Sequence, residues 1–210
     1  DHLTAESFEY WWEIDDFSGK KTKTDVYQVQ IKEGVKRGYF EDFEGYPDGW
    51  YSFGINNSWE WGKPTYGPKQ AASGENVIGT HLRGQYERNS DMTLVMPPIL
   101  VEEHTMLRFK TWYKLSLFGQ DTGTVFISTD GEAWEPLYQV RQENTRWHEV
   151  GLDLSDYANE KVYIAFNLKT SDSQNDGWYI DDVAVVNSQS KANVSKQQIF
   201  DTDVTLKIPA

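Results

Sequence analysis

Hydrophobic and polar residues alternate along this chain in short runs rather than in helical stripes. In Leu107-Arg108-Phe109-Lys110-Thr111-Trp112-Tyr113, the residues Leu107, Phe109, Thr111 and Tyr113 share one face and Arg108, Lys110 and Trp112 the other. A period of two of this kind marks a strand with one face buried and one wet. The same pattern predicts strands at Asp25–Lys32, Met106–Leu115, Thr124–Thr129, His148–Asp153, Val162–Lys169 and Trp178–Val186. Gly, Asn, Asp and Ser punctuate the chain roughly every ten residues, the spacing of a sandwich or barrel. Thr129-Asp130-Gly131-Glu132 reads as a hairpin turn, with Val125-Phe126-Ile127 entering and Trp134-Glu135-Pro136-Leu137-Tyr138 leaving. Ser128 to Trp134 is similar to the Asp-box of sialidase-type propellers, but it is one residue short and occurs once, so a plain tight turn is the simpler reading.

Two end segments differ from the middle. Residues 1–37 carry an aromatic and acidic cluster, Phe8-Glu9-Tyr10-Trp11-Trp12-Glu13-Ile14-Asp15-Asp16-Phe17, a Ser18-Gly19 turn, and a strand with Tyr27, Val29 and Ile31 on one face. Residues 188–210 open on a polar, linker-like stretch and close on Val204, Leu206 and Ile208, another alternating strand. The expected division is therefore an N-terminal strand or hairpin extension (1–37), a central β domain (38–187), and a linker with a C-terminal strand (188–210).

Composition narrows the function classes. Nine Trp, twelve Tyr and ten Phe among 210 residues suit sheets whose faces take wide, flat side chains. A formal net charge of -13 repels nucleic acid, whose affinity comes from Lys and Arg neutralising phosphates. It disfavours an anionic membrane for the same reason, and no apolar run approaches a membrane span. The absence of Cys points away from small disulfide-built eukaryotic domains and towards a bacterial exoprotein. The chain opens on Asp1 rather than Met and so reads as part of a longer precursor.

No catalytic constellation is visible. There is no Gly-x-Ser-x-Gly elbow, Glu102-Glu103-His104 is not a His-Glu-x-x-His zinc motif, and His2, His81, His104 and His148 are scattered. The informative groups are of two kinds. Acidic residues cluster at Glu41-Asp42-Phe43-Glu44 and at Asp181-Asp182 within an otherwise apolar strand. Strict alternation sends one of the Asp pair inward, where a bare charge is costly, and either a hard cation or backbone hydrogen bonds would relieve it. Aromatic residues Trp50, Trp59, Trp61 and Tyr86 form the second group: exposed, they would be a platform for sugar rings; buried, they would be core.

Three segments resemble the jelly-roll accessory domain found C-terminal to bacillopeptidase F-type subtilases and in immune-inhibitor-A-type metalloproteases. They are Phe43-Glu44-Gly45 with Ser58-Trp59-Glu60-Trp61-Gly62-Lys63-Pro64, then Ala71 to Thr80 with Tyr86 and Asp91 to Ile99, then Asp176-Gly177-Trp178-Tyr179-Ile180-Asp181-Asp182-Val183. The resemblance covers about residues 38–187. It implies an all-β, MAM-like, two-sheet antiparallel jelly roll, related to carbohydrate-binding modules and to gingipain cleaved-adhesin domains. It also implies a structural calcium held by Glu44, by Asp181 or Asp182, and by groups near Ser73, with Asp42 beside them.

The function expected is thus a non-catalytic accessory domain of a secreted bacterial peptidase of the subtilisin type. Its partners would be the parent peptidase domain and a protein substrate or cell-surface glycan. The rival reading is an independent carbohydrate-binding or adhesin module using Trp50, Trp59, Trp61 and Tyr86.

Overall fold

The computed structural model describes residues 7–30, 33–118 and 120–189. Ile31, His2 and the strand expected at Val204–Ile208 lie outside them. The chain divides into two units, Asp1–Glu33 and Gly34–Ala210.

The first unit holds β1 (Ser7–Tyr10), β2 (Glu13–Asp15), β3 (Lys21–Lys23) and β4 (Tyr27–Gln30). β1 pairs antiparallel with β4 and β2 with β3, giving a hairpin whose turn is tied by Asp16. One oxygen of Asp16, Oδ1, accepts the Ser18 and Lys20 backbone N–H groups and the Ser18 hydroxyl at 2.8, 2.9 and 2.6 Å. Tyr10 stacks on Tyr27 with centroids 5.2 Å apart, and the Lys23 ammonium sits 3.8 Å from the Trp11 ring centroid. A hairpin has no second layer, so Trp12, Ile14 and Phe17 stay exposed.

The second unit holds β5 (Phe40–Glu41), β6 (Tyr51–Ile55), β7 (Trp59–Gly62), β8 (Val77–Thr80), β9 (Asp91–Val95), β10 (Ile99–Leu100), β11 (Thr105–Lys114), β12 (Thr122–Ser128), β13 (Glu135–Val140), β14 (Glu143–Asp153), β15 (Lys161–Lys169) and β16 (Gly177–Asn187). They form two six-stranded sheets. One runs β13-β12-β15-β9-β6 with β10 beside β15; the other runs β14-β11-β16-β8-β7 with β5 beside β16. Every strand pair is antiparallel, and the architecture is the two-sheet jelly-roll sandwich that the resemblance implied.

The inner faces meet in an aromatic core. Phe166 on β15 contacts Phe109 on β11 edge-on at 5.3 Å, Trp178 on β16 at 5.9 Å and Trp50 at 6.2 Å, while Trp178 leans on Trp59 at 5.9 Å. Leu107, Phe109 and Thr111 face this core as alternation required. The opposite face of β11 is not simply wet. Trp112 is buried there with Val77, Leu82 and Tyr179, roofed by Ala71 and Trp147, because the long connection between β7 and β8 folds back over the outside of the sheet. The Trp147 indole N–H fastens that connection to the Gln70 carbonyl at 3.0 Å.

The hairpin turn between β12 and β13 stands as expected. Asp130 Oδ1 accepts the Glu132 and Ala133 N–H groups, each at 2.8 Å, Gly131 takes a φ of 79°, and the Trp134 indole donates to the Gly131 carbonyl. Those backbone bonds hold the Asp130 carboxyl below the usual carboxylate range.

Candidate functional site

The Asp181-Asp182 pair departs from strict alternation. Ile180 and Val183 both point into the main core, although two residues separate them. A bulge makes this possible: the β11–β16 register shifts between Arg108↔Ala184 and Lys110↔Asp181, and Asp182 adopts a left-handed φ of 47°. The extra residue keeps both carboxylates out of the main core, yet Asp181 is still fully buried, on the outer side of the sheet.

Both carboxylates are instead bound to the connection between β7 and β8. Asp181, fully buried, accepts the Ala72 and Ser73 N–H groups on Oδ2 at 2.8 and 3.1 Å and the Asp182 N–H on Oδ1 at 2.8 Å. Burial still outweighs these donors and pushes its carboxyl up to about 6. Asp182 Oδ1 accepts the Ser73 hydroxyl at 2.5 Å, and Oδ2 is 2.8 Å from the Lys110 ammonium. That contact raises the Lys110 pKa.

Glu44 reaches the same loop from the other side. Its Oε1 accepts the Glu75 and Asn76 N–H groups, each at 2.8 Å. Gly74 between these anchors has a φ of 56°, and a Cβ there would lie 2.4 Å from Glu44 Oε1, so the junction requires glycine. Asp42 turns inward on its own segment, its Oδ1 accepting the Glu44 N–H at 3.1 Å.

Glu44, Asp181, Asp182 and Ser73 therefore meet at one loop, and Asp42 bonds the Glu44 N–H. They meet as acceptors, however. Both oxygens of Asp181 and Asp182 and one of Glu44 already hold N–H, hydroxyl or ammonium donors. Among the described residues no three His, Asp or Glu side chains gather so as to hold a metal ion. A calcium here, which takes about six to eight oxygens, would have to draw on the second Glu44 oxygen and on loop carbonyls and compete with Lys110. Lys110 was not singled out from the sequence, because its role depends on cross-strand register.

The aromatic platform is corrected by burial. Trp50, Trp59 and Tyr86 belong to the core and offer no ring face to a sugar. The Trp50 indole donates to the Tyr39 hydroxyl at 2.9 Å, and the Tyr86 hydroxyl donates to Asp121 Oδ2 at 2.6 Å. Trp61 differs: it sits two residues beyond Trp59, at the rim of the sandwich, with 39% of its surface exposed. Its indole N–H donates to the Phe43 carbonyl at 2.6 Å, and Tyr46, 75% exposed, meets it edge-on at 5.8 Å.

The described histidines lie apart, at the end of β8 (His81), before β11 (His104) and within β14 (His148). Among the described residues no helix is long and apolar enough to cross a membrane.

No protein-family model matches the chain. Among curated proteins, bacillopeptidase F of Bacillus subtilis (strain 168) is 40% identical over 194 residues, 90% of this chain. The chain is similar to bacillopeptidase F over nearly its whole length. It spans 14% of that relative, so the match concerns one region of bacillopeptidase F and not the whole protein. Among solved structures, the K1 cleaved adhesin domain of Lys-gingipain from Porphyromonas gingivalis W83 aligns with a TM-score of 0.52 at 18% identity, covering 74% of this chain and 98% of that one. The K2 domain aligns with a TM-score of 0.51 at 17% identity, covering 70% and 97%. These likenesses identify the fold as a β-sandwich.

Proposed function

We propose that this chain is a non-catalytic accessory module of a secreted bacterial peptidase of the subtilisin type, engaging a protein substrate or cell surface beside the catalytic domain. The similarity to bacillopeptidase F over 90% of the chain carries the reading. The test is a parent peptidase with and without this module, assayed on a small chromogenic peptide and on intact protein or cell-wall material. Unchanged turnover of the peptide with impaired action on the large substrate supports the proposal. Equal action on both, with equal thermal stability, removes it.

A structural calcium is a separate part of the proposal. The convergence of Glu44, Asp181, Asp182 and Ser73 on one loop speaks for it, and the engagement of their oxygens by N–H groups and Lys110 speaks against it. An ion binding only the folded state at about 100-fold over its dissociation constant adds roughly 2.7 kcal/mol. Melting in EDTA and in millimolar calcium should then give separated midpoints, with the gap narrowed by Glu44→Gln. Coincident midpoints leave the N–H donors and Lys110 as the whole account of the acidic corner.

A further inference from the structure

Trp61 and Tyr46 are two aromatic residues of the sandwich rim that touch each other and that the core does not absorb. Their rings stand at 86° to each other, one forming a floor and the other a wall. Trp61 is held in place by its bond to the carbonyl of Phe43, a fully buried residue, so little side-chain freedom is lost when a ligand covers it. At the end of β7, just past Trp61, Lys63 and Glu75 form an ion pair at 3.2 Å, with both side chains mostly in solvent. A flat apolar ring thus ends β7, with the Tyr46 ring from the β5–β6 segment at its edge, and a cationic donor and an anionic acceptor follow at the end of the β7–β8 pair.

We propose that this corner binds a neutral carbohydrate. A pyranose offers an apolar C–H face for the Trp61 indole and a rim of hydroxyls that accept from Lys63 and donate to Glu75. The charges of Lys63 and Glu75 compensate each other, while a net charge of -13 repels acidic glycans. An extended peptide is the poorer fit, because β7 ends in Gly62 at a φ of 139° and is followed by Pro64, which cannot extend a ladder to an added strand. A second aromatic pair of the sandwich, Tyr51 and Phe53 on β6, is stacked at 6.1 Å, but Phe53 packs against Val95, Phe126 and Ala165. Tyr51 therefore serves as a control position. The inference does not rest on the peptidase reading, and neither falls with the other.

The test titrates the intact 210-residue chain with cellohexaose, xylohexaose, laminarihexaose and N-acetylchitohexaose, followed by calorimetry and tryptophan fluorescence. The expected result is a dissociation constant below about 1 mM for at least one of them, weakened at least about tenfold by Trp61→Ala and measurably by Tyr46→Ala. Tyr51→Ala should bind like the wild type. Tyr46 is exposed enough that its removal leaves the fold intact, so the proposal stays testable even if Trp61→Ala does not fold. It is overturned if none of the four sugars binds, if affinity survives Tyr46→Ala unchanged, or if Tyr51→Ala abolishes it. Unfolded casein competing at Trp61 in place of every sugar would likewise overturn it.

Discussion

Two carboxylates in this protein each accept three hydrogen bonds, and their pKa values move in opposite directions. Asp16 in the N-terminal hairpin takes two N–H groups and a hydroxyl in full solvent, and these bonds, the Ser18 hydroxyl foremost, hold its carboxyl below the usual range. Asp181 in the sandwich takes three N–H groups inside the protein, and burial carries it up to about 6. The number of donors does not decide the outcome; the water withheld from the charged form does. The aromatic residues divide along the same line. Trp12, between β1 and β2, remains 64% exposed, whereas Trp178 on β16 is wholly buried. What separates the two regions is a second sheet.

The largest expected effect lies in the sandwich. Trp178→Ala removes the ring that touches Phe166 and Trp59 and the indole donor to the Thr111 hydroxyl at 2.8 Å. A loss of about 3–5 kcal/mol in urea unfolding is expected; a loss under about 1 kcal/mol would mean that the core closes around the gap. Next comes Asp181→Asn, which leaves N–H donors poorly matched and should cost about 1–3 kcal/mol. Its pH dependence sharpens the comparison. Because the folded pKa of Asp181 lies above its ordinary value of 3.8, its contribution is complete below that value and is lost as pH rises through about 6. The stability gap between wild type and Asp181→Asn should therefore shrink from about pH 4 to about pH 7. A gap that widens instead would place the carboxylate in a wetter setting than the fold shows. Asp16→Asn should follow the opposite sign, any cost appearing above the ordinary carboxylate range and fading as pH falls. The smallest effect belongs to Trp12→Ala, expected within about 0.5 kcal/mol of wild type for the unfolding of the sandwich.

Strands were legible where alternation was long. The expected segments at Met106–Leu115, Val162–Lys169 and Trp178–Val186 agree within one residue at each end with β11, β15 and β16. The turn at Asp130 was legible because its chemistry is local. The fates of Trp50, Trp59, Trp61 and Tyr86 were not, since alternation says which residues share a face and not which face meets a second layer. Trp59 and Trp61 stand two apart on β7 and so share a face, yet one lies over the core and the other at its rim. The Asp181-Asp182 pair was legible as an anomaly but not as a bulge, because the residue that resolves it, Lys110, stands on a neighbouring strand.

The place of β16 in its sheet has a consequence for the order of assembly. Among the described residues it is the last strand in sequence, yet it lies inside its sheet, hydrogen-bonded to β11, β8 and β5, and its Asp181 and Asp182 reach back more than a hundred residues to the Ser73 loop. As the polypeptide is synthesised, β11 and β8 have no common neighbour until residues 177–187 arrive. Until then their edges stand open to pairing with other chains. The nascent protein is thus most vulnerable to misassembly just before β16 appears, and a chain ending at Asp176 should accumulate as aggregate rather than as a smaller folded domain.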